Sequence, residues 1–308
     1  MSREDVTHLC ALLNDDSQPM RFGGHPMLVV LKITVALNFY ASELFWGSTG
    51  NMCGVSQSSV HHCIKEVTNA LFKRASDHIR YRTDPERQAE GAIGRGAIAG
   101  FSQVQSAIDC THVAIKAPAD QPVTFINRKG FHSLNVQLVC NHRKHFLQVC
   151  ACFLGSCHDA YIPRQSQVPL LFTPPAHLQE WILGDKAYPL MSWLLTPGRN
   201  ATNNAEECNT ICHDFTQATI KQAIGMLKMR FCGLDRSGGA LQYAPDRVGC
   251  IVVVCCILLY IAVQKGEGLQ DEEFRKHETS SNDEDTEDTQ RQEHMGNQRT
   301  VMETRQGE

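Results

Sequence analysis

Three aspartates stand at places in the chain where acidic side chains are unusual. Asp109 lies in the middle of an apolar stretch, Asp159 follows a Gly-Ser-Cys-His run, and Asp185 follows a short apolar segment that ends in glycine. A carboxylate beside a buried strand costs free energy unless it is paired or binds a cation. Carboxylates that converge at strand ends are the oxygen ligands that Mg²⁺ and Mn²⁺ prefer. The three aspartates therefore predict a divalent-metal site.

The chemistry of such a site is hydrolysis of a phosphodiester bond. Two ions about 3.5–4 Å apart can activate a water molecule for attack and stabilise the leaving oxygen. The alternative for each aspartate is that it caps a turn or a helix. That alternative is open for Asp159 in particular, because a helix is expected to begin there.

The elements around the aspartates follow the order β-β-β-α-β-α. Asp109 falls in a strand-like segment, two further segments form a hairpin, and Asp185 ends a short strand that precedes a long helix. The ranges are Val104–Ala117, Leu134–Cys140, Phe146–Leu154, Trp181–Tyr188 and about Asn204–Phe231. The switch between strand-like and helical periodicity predicts an α/β domain.

The N-terminal block reads as helical and predicts a helix-turn-helix. Met27 to Tyr40 is apolar enough for a buried helix, and Ser56 is a suitable N-cap for a second one. Apolar residues recur at helical spacing after Ser56 and place one face in a core. The outward residues, which could contact a DNA duplex, are Gln57, Ser58, His61, His62 and Lys65. An ordinary helical bundle with a solvated polar face is the open alternative.

Composition divides the chain into four regions. These are a polar lead-in at residues 1–26, the helical region at 27–80, the α/β domain at 101–264 and an acidic tail at 265–308. From Gly266 to Glu308 there are 13 acidic and 5 basic residues, so the mildly basic body is compatible with a nucleic-acid partner. The 14 cysteines are expected to be reduced thiols in apolar surroundings. The apolar run Cys250–Val263 is too short for a membrane span of roughly 20 residues, so a buried core element and no membrane partner are expected.

Five ordered motifs resemble the DDE endonuclease domain of Harbinger-type transposases. They are AIDCTHVAIKAP, FINRKGFHSLNVQLVCN, GSCHDAYIPRQS, WILGDKAYPLMSWLLTP and IGMLKMRFCGLD, and the resemblance spans roughly residues 28 to 264. It implies an RNase H-like fold, in which a mixed sheet flanked by helices carries a divalent-metal site. It also implies a helix-turn-helix in the N-terminal block.

The resemblance assigns roles to the three aspartates. Asp109 matches the family's first acid, Asp159 the acid of its Gly-Ser-x-His-Asp motif, and Asp185 the acid of its Gly-Asp-x-x-Tyr motif. All three are expected to bind Mg²⁺ or Mn²⁺, with Asp109 and Asp185 as catalytic residues. Basic residues that could contact DNA phosphates include Arg128 and Lys129.

The chain departs from the family pattern in the long helix. The family's last acid is a glutamate, and Lys221 stands at that position. A protonated ammonium cannot ligate a metal ion, although it could pair with an aspartate and replace a cation electrostatically. The family commonly has an arginine where this chain has Gln217, and a His-Asn pair where it has Leu259 and Tyr260.

The leading hypothesis is a metal-dependent DNA endonuclease in which a metal-bound water attacks the phosphodiester. The first alternative is a catalytically silent DNA-binding or scaffold protein that retains the fold, because of Lys221. The second is a decaying transposon copy without a selected role. The resemblance also implies a Myb/SANT-like partner protein and residence in the nucleus, with the cytoplasm as the second compartment.

Overall fold

The computed structural model describes residues 2–14, 21–22, 25–42, 46–81, 104–171, 181–197 and 204–264. The predicted acidic tail at 265–308 and the Gly-rich connection at 82–100 lie outside these residues. The side chains of residues 204–216 also lie outside the description. The described residues belong to one compact unit, which extends from Met1 to Glu267.

The N-terminal part of the chain is mainly helical. It contains α1 (Arg3–Asn14), a two-stranded ladder of β1 (Arg21–Phe22) and β2 (His25–Pro26), α2 (Val29–Ala41), α3 (Trp46–Cys53), α4 (Gln57–Lys73) and α5 (Ala75–His78). Helix α1 lies within residues 1–26, where composition predicts only a polar lead-in. It forms because Leu9 and Leu13, one turn apart, are both buried against neighbouring helices.

Helix α4 begins where the sequence predicts. The Ser56 side chain accepts a hydrogen bond from the backbone N–H of Ser59 at 3.3 Å, which satisfies one donor of the first turn. One face of α4, including Val60 and Ile64, is fully buried. The ammonium of Lys32 in α2 lies 2.7 Å from the carboxylate of Glu66 in α4. Apolar packing and this ion pair together join α2 to α4.

A mixed five-stranded sheet forms the centre of the molecule. Its strands are β3 (Val104–Ala114), β4 (Ser133–Cys140), β5 (Phe146–Leu154), β6 (Trp181–Leu183) and β7 (Leu194–Leu195). Their order is β5-β4-β3-β6-β7; β4 is antiparallel to both β5 and β3, and β6 is parallel to both β3 and β7. The predicted α/β, RNase H-like architecture is confirmed.

Helices flank the sheet in the second half of the chain. They are α6 (Ile162–Gln165), α7 (Val168–Leu171), α8 (Asn204–Arg230) and α9 (Pro245–Gln264). Helix α9 contains the apolar run and packs against β5 and α4. By length and composition it could cross a membrane, with a mean hydropathy of 2.3. Since 67% of that apolar window is buried inside the protein, it is a core helix here.

The strand before Asp185 is shorter than the sequence predicts. The sequence predicts that the strand in the segment Trp181–Tyr188 ends at Asp185, whereas β6 ends at Leu183. After it, the backbone N–H of Tyr188 donates to the carbonyl oxygen of Asp185 at 3.2 Å, which closes a turn. Asp185 therefore lies in a turn at the carboxyl end of a parallel strand.

Candidate functional site

Asp109 lies in the middle of the central strand β3. It pairs with Leu138 of β4, and its side chain is half-buried. The backbone N–H of Cys110 donates to Asp109 Oδ1 at 2.8 Å. The carboxylate is thus held within the sheet by a hydrogen bond from its own strand.

The environment of Asp109 favours its protonated form. Burial raises the pKa of Asp109 to about 7, against the hydrogen bond from Cys110, which lowers it. The negative charges of Asp185 and Asp159 contribute to this raised pKa, whereas the positive charge of Lys221 opposes it. All four ionisable groups therefore act within one electrostatic site, and that site has an excess of negative charge.

Strand register explains why Asp185 acts on Asp109. Strands β3 and β6 are parallel neighbours, and Ala107 pairs with Leu183. Asp109 lies two residues after Ala107, and Asp185 lies two residues after Leu183. The two aspartates therefore occupy equivalent positions along the two neighbouring segments of the chain. The backbone N–H of Ala187 donates to Asp185 Oδ1 at 2.8 Å and orients the carboxylate.

The turn after Asp185 is tied back to β3. The hydroxyl of Tyr188, which is buried, donates to the Cys110 sulfur at 3.1 Å. Burial raises the pKa of both the Tyr188 phenol and the Cys110 thiol, so both groups stay neutral at physiological pH. This bond connects the residue after Asp109 to the turn that carries Asp185.

Asp159 lies in the loop that follows β5 and is held by a buried amide. Asn135 Nδ2 in β4 donates to Asp159 Oδ1 at 2.8 Å and to the carbonyl oxygen of Cys157 at 3.1 Å. The loop leaves the sheet at Gly155, where a Cβ would overlap the carbonyl oxygens of Phe125 and Ser133. Glycine at that position lets the chain pass close to the neighbouring backbone.

Lys221 and Gln217 stand one turn apart on α8. Lys221 is exposed, and its charge reaches Asp109. Gln217 is buried and donates from Nε2 to the carbonyl oxygen of Ile108 at 3.0 Å. The family's glutamate position is therefore on the helix that packs beside Asp109, and a cationic side chain occupies it.

The three aspartates share one pattern of hydrogen bonding. Each has Oδ1 held by an N–H donor, and no described residue donates to any of the three Oδ2 atoms. Carboxylate oxygens that are oriented but left open suit a hard divalent cation. Within the described residues, however, no three acidic, histidine or cysteine side chains lie close enough together to hold a metal ion.

A small polar cavity adjoins Asp159 and extends to Ala187, two residues after Asp185. Its volume is about 160 Å³, and its lining includes His112, Arg128 and Tyr161. Arg128 and Tyr161 are exposed, as is Lys129, the neighbour of Arg128. Positive charge and an exposed aromatic ring therefore stand beside two of the aspartates.

A buried network supports the wall of this cavity. The Ser133 hydroxyl lies 3.0 Å from His112 Nδ1 and accepts a hydrogen bond from Asn127 Nδ2, also at 3.0 Å. Burial lowers the pKa of His112, although the charge of Asp159 opposes the shift. His112 is therefore a neutral, oriented group at neutral pH.

The face of α4 that was predicted to contact DNA is partly covered. Gln57, Ser58, His62 and Lys65 are exposed, whereas His61 is half-buried and stacks on the Tyr243 ring at 5.9 Å. Arg247 of α9 donates to the Lys65 carbonyl oxygen at 2.9 Å. The covered edge faces residues 243–247, and the open edge carries the remaining polar side chains.

The pattern of polar residues in strand β4 is a sequence signal for Asn135, which holds Asp159. Asn135 and Gln137 alternate as polar residues inside the otherwise apolar strand β4, and both are buried. Polar side chains repeated with period two on a buried strand indicate a polar network on one face. Tyr188, in contrast, reaches Cys110 only through the tertiary structure.

Comparisons with known proteins agree with the geometry. The sequence pattern described as "DDE superfamily endonuclease" matches residues 108–259. The human protein named "Putative nuclease HARBI1" is 36% identical over 235 residues, which are 76% of this chain and 67% of that protein. Its counterpart in Xenopus laevis is 37% identical over 234 residues, with the same coverage. "Protein ALP1-like" of Arabidopsis thaliana is 27% identical over 300 residues, which are 89% of this chain and 71% of that protein. No solved structure matches the chain.

Proposed function

We propose, because this chain belongs to the DDE superfamily endonucleases derived from Harbinger-type transposases, that it hydrolyses phosphodiester bonds in DNA with the help of divalent cations. The observation that carries the proposal is the placement of Asp109 inside the sheet with two further carboxylates acting on its pKa. A buried excess of negative charge is costly, and a bound dication is a direct way to offset it.

The residues that would hold Mg²⁺ or Mn²⁺ are Asp109, Asp159 and Asp185. Their Oδ2 atoms are the oxygen donors that a hard cation prefers, and the hydrogen bonds to Oδ1 keep each carboxylate oriented. The three carboxylates would have to move closer together to share the ion. When bound, the cation supplies activation of a water molecule and neutralisation of charge at the phosphate.

The chain's own residues would position the DNA. Arg128 and Lys129 are exposed and cationic, and Arg128 lines the cavity beside Asp159. They would hold the phosphates that flank the scissile bond. The open edge of α4, with Gln57, Ser58, His62 and Lys65, would extend the path along the duplex. His61 would support that edge through its stacking on Tyr243 rather than contact the DNA.

A second function is favoured by one specific observation, the lysine at position 221. Its charge acts on Asp109 where the family has a glutamate, and it lowers the attraction of the site for a cation. The corresponding protein would bind DNA and leave it intact. Both functions imply residence in the nucleus, where a Myb/SANT-like partner protein would act together with this chain.

Titration calorimetry with MnCl₂, combined with nicking of a supercoiled plasmid, tests these functions. The nuclease predicts Mn²⁺ binding and Mn²⁺-dependent nicking by the wild-type chain, both lost in Asp109→Ala. The silent protein predicts DNA binding without nicking, and gain of Mn²⁺ binding in Lys221→Glu. Lys116→Glu makes the same charge change at an exposed position and should leave Mn²⁺ binding unaltered. If neither the wild type nor Lys221→Glu binds Mn²⁺ or nicks DNA, the metal-dependent function is wrong.

The cellular proposals need separate measurements. A fluorescent fusion of the full chain should concentrate in the nucleus, and uniform cytoplasmic signal would contradict that expectation. Affinity purification from nuclear extract should recover a protein with a Myb/SANT-like domain. Its recovery should not depend on Asp109, because that carboxylate lies half-buried within the sheet rather than on an exposed surface.

A further inference from the structure

Two thiols approach each other on the edge strand of the sheet. The sulfur atoms of Cys150 and Cys152 in β5 lie 3.4 Å apart. Cys152 is exposed and Cys150 is half-buried. Strand β5 is the outermost strand, with β4 on one side. A soluble oxidant can therefore reach Cys152 without any rearrangement of the fold.

A bulge in β5 accounts for the short distance between these sulfur atoms. In a regular strand, Cα atoms two residues apart are separated by about 6.6–6.8 Å, at the upper limit for a disulfide. The register of β4 and β5 shifts between the Asn135–Phe153 pair and the Gln137–Cys150 pair. The shift sets Ala151 and Cys152 opposite the single residue Val136. Such a bulge bends its strand, and the side chains around it can converge.

The position of the bulge is fixed by α9. A Cβ on Gly249 of α9 would come within 2.5 Å of the Ala151 carbonyl oxygen, so the helix rests directly on the backbone between the two cysteines. Because α9 holds this backbone from one side, the two sulfur atoms stay close together in the folded protein. No flexible loop is needed to bring them there. The geometry is therefore a property of the folded sheet.

The two thiols differ in their chemical environment. Burial, together with the contact with Cys152, raises the pKa of the Cys150 thiol to about 12. Cys150 therefore keeps its proton at neutral pH, whereas the Cys152 sulfur is open to water. This difference assigns the first reaction with an oxidant to Cys152, since the thiolate is the reactive form of cysteine.

We propose that Cys150 and Cys152 form a thiol modification site, which peroxides oxidise to a disulfide across the bulge of β5. The proposal does not depend on the nuclease function. The Cys152 thiolate attacks one oxygen of hydrogen peroxide, the O–O bond breaks, and the departing hydroxide takes a proton to leave as water. Cys152 is then a sulfenic acid. The Cys150 sulfur attacks it, the S–O bond breaks, and the Cys150 proton leaves with the hydroxyl as a second water. Two thiols lose two electrons in total, and one peroxide gains them.

Peptide mass spectrometry tests the site on the folded full chain. Cleavage after Lys144 and Arg164 by trypsin yields one peptide that contains Cys150, Cys152 and Cys157. After brief treatment with hydrogen peroxide and alkylation of free thiols, this peptide should lack two hydrogen atoms and carry a label on Cys157 alone. Treatment with dithiothreitol before alkylation should restore labels on all three cysteines.

Cys157 provides the matched control, because it lies in the same peptide. The peptide of Cys157→Ser should still lose two hydrogen atoms on oxidation. The Cys150–Cys152 disulfide should not form in Cys150→Ser or Cys152→Ser. In Cys150→Ser the sulfenic acid on Cys152 should persist and be trapped by dimedone. A wild-type peptide that keeps both hydrogen atoms, or that ends with a sulfinic acid on Cys152, would overturn the proposal, as would a disulfide between either thiol and Cys157. Circular dichroism of each variant confirms that the fold is intact.

Discussion

Gln217 of α8 donates a hydrogen bond from Nε2 to the carbonyl oxygen of Ile108 at 3.0 Å. Ile108 directly precedes Asp109, so the bond sets the position of α8 along β3 at the level of the candidate site. Lys221 follows one turn later and thereby comes within electrostatic reach of Asp109. The other polar atom of the Gln217 side chain, Oε1, is buried and has no hydrogen-bond partner among the described residues.

The first prediction concerns the hydrogen bond from Gln217 to the Ile108 carbonyl oxygen. Gln217→Met should lower the free energy of unfolding by about 1 kcal/mol, because the Ile108 oxygen loses its donor while the unpaired Oε1 is removed as well. Gln222→Met, at a half-buried position of the same helix, should change stability by less than about 0.5 kcal/mol. Urea unfolding of the metal-free protein measures both. Equal stability of the two variants would show that the bond does not hold the helix in place.

The second prediction concerns the cost of the Asp109 charge. Its pKa is raised from 3.8 to about 7, so the folded chain favours the protonated form. As pH rises from about 4 to 7, the Asp109 carboxyl ionises in the unfolded chain before it ionises in the folded chain. The free energy of unfolding therefore decreases over this range, and the decrease is complete above about pH 7. Asp109→Asn cannot ionise and should be more stable than the metal-free wild type at pH 8, by about 1–2 kcal/mol after allowance for partial solvent access.

The pH dependence separates this effect from an ordinary packing change. At pH 3 the carboxyl of Asp109 is largely protonated in both the folded and the unfolded chain, so Asp109→Asn and wild type should unfold at similar temperatures. Asp120→Asn alters an exposed carboxylate and should show no gain at either pH. Differential scanning calorimetry in the presence of a chelator gives the measurement. A loss of stability in Asp109→Asn at pH 8 would contradict the buried negative charge.

The third prediction concerns the support of Asp159. Asn135→Leu removes the Nδ2 donor that orients Asp159 Oδ1. Loss of a group that orients a metal ligand typically costs about 10–100-fold in affinity, so we expect a weakening of Mn²⁺ binding within that range. Stability should fall by about 1–2 kcal/mol, because the Cys157 oxygen and Asp159 Oδ1 lose their donor while the unpaired Asn135 Oδ1 is removed as well. Asn69→Leu, on α4, serves as the control, and an unaltered Mn²⁺ affinity in Asn135→Leu would exclude Asp159 as a ligand.

The fourth prediction concerns two histidines that pack on Tyr260 of α9. The rings of His78 and His145 lie 5.7 and 5.0 Å from that ring. Burial lowers the pKa of both histidines. The folded chain thus favours the neutral form, and its stability is full above the usual histidine pKa of about 6.5 and declines as pH falls below it. The unfolding temperature should fall by a few degrees between pH 7 and 5.

Substitution of the two rings tests the origin of this decline. The double variant His78→Phe and His145→Phe keeps aromatic packing and cannot titrate, so its unfolding temperature should decline less over the same range. His62→Phe changes an exposed histidine of α4 and should leave the wild-type decline in place. An identical decline in all three proteins would place the titrating groups elsewhere.

The fifth prediction concerns the ion pair that joins α2 and α4. Lys32 is 2% exposed and lies 2.7 Å from Glu66. Lys32→Met should lower the free energy of unfolding by about 3 kcal/mol, because the Glu66 carboxylate remains without its cation. The double variant Lys32→Met and Glu66→Leu should recover most of that loss. A double-mutant cycle by chemical unfolding measures the coupling, and additive losses would show that the pair is not coupled.

The sequence alone determined the lineage and most of the elements. Periodicity placed α2, α4, α8 and the strands β3, β4 and β5 within a few residues of their observed bounds, since these segments are long and regular in pattern. Motif order identified the three aspartates and the lysine at position 221. It missed α1, whose two buried leucines form too short a pattern, and it extended β6 through Gly184 into a turn.

Only the tertiary structure decided how the aspartates relate to one another. The parallel register of β3 and β6 sets Asp185 level with Asp109, and β4 supplies Asn135 to Asp159, although these segments are far apart in the chain. The raised pKa of Asp109 likewise depends on burial and on charges brought by other segments. Local propensity carries no information on such contacts, because strand pairing and helix docking fix them through the packing of the whole domain.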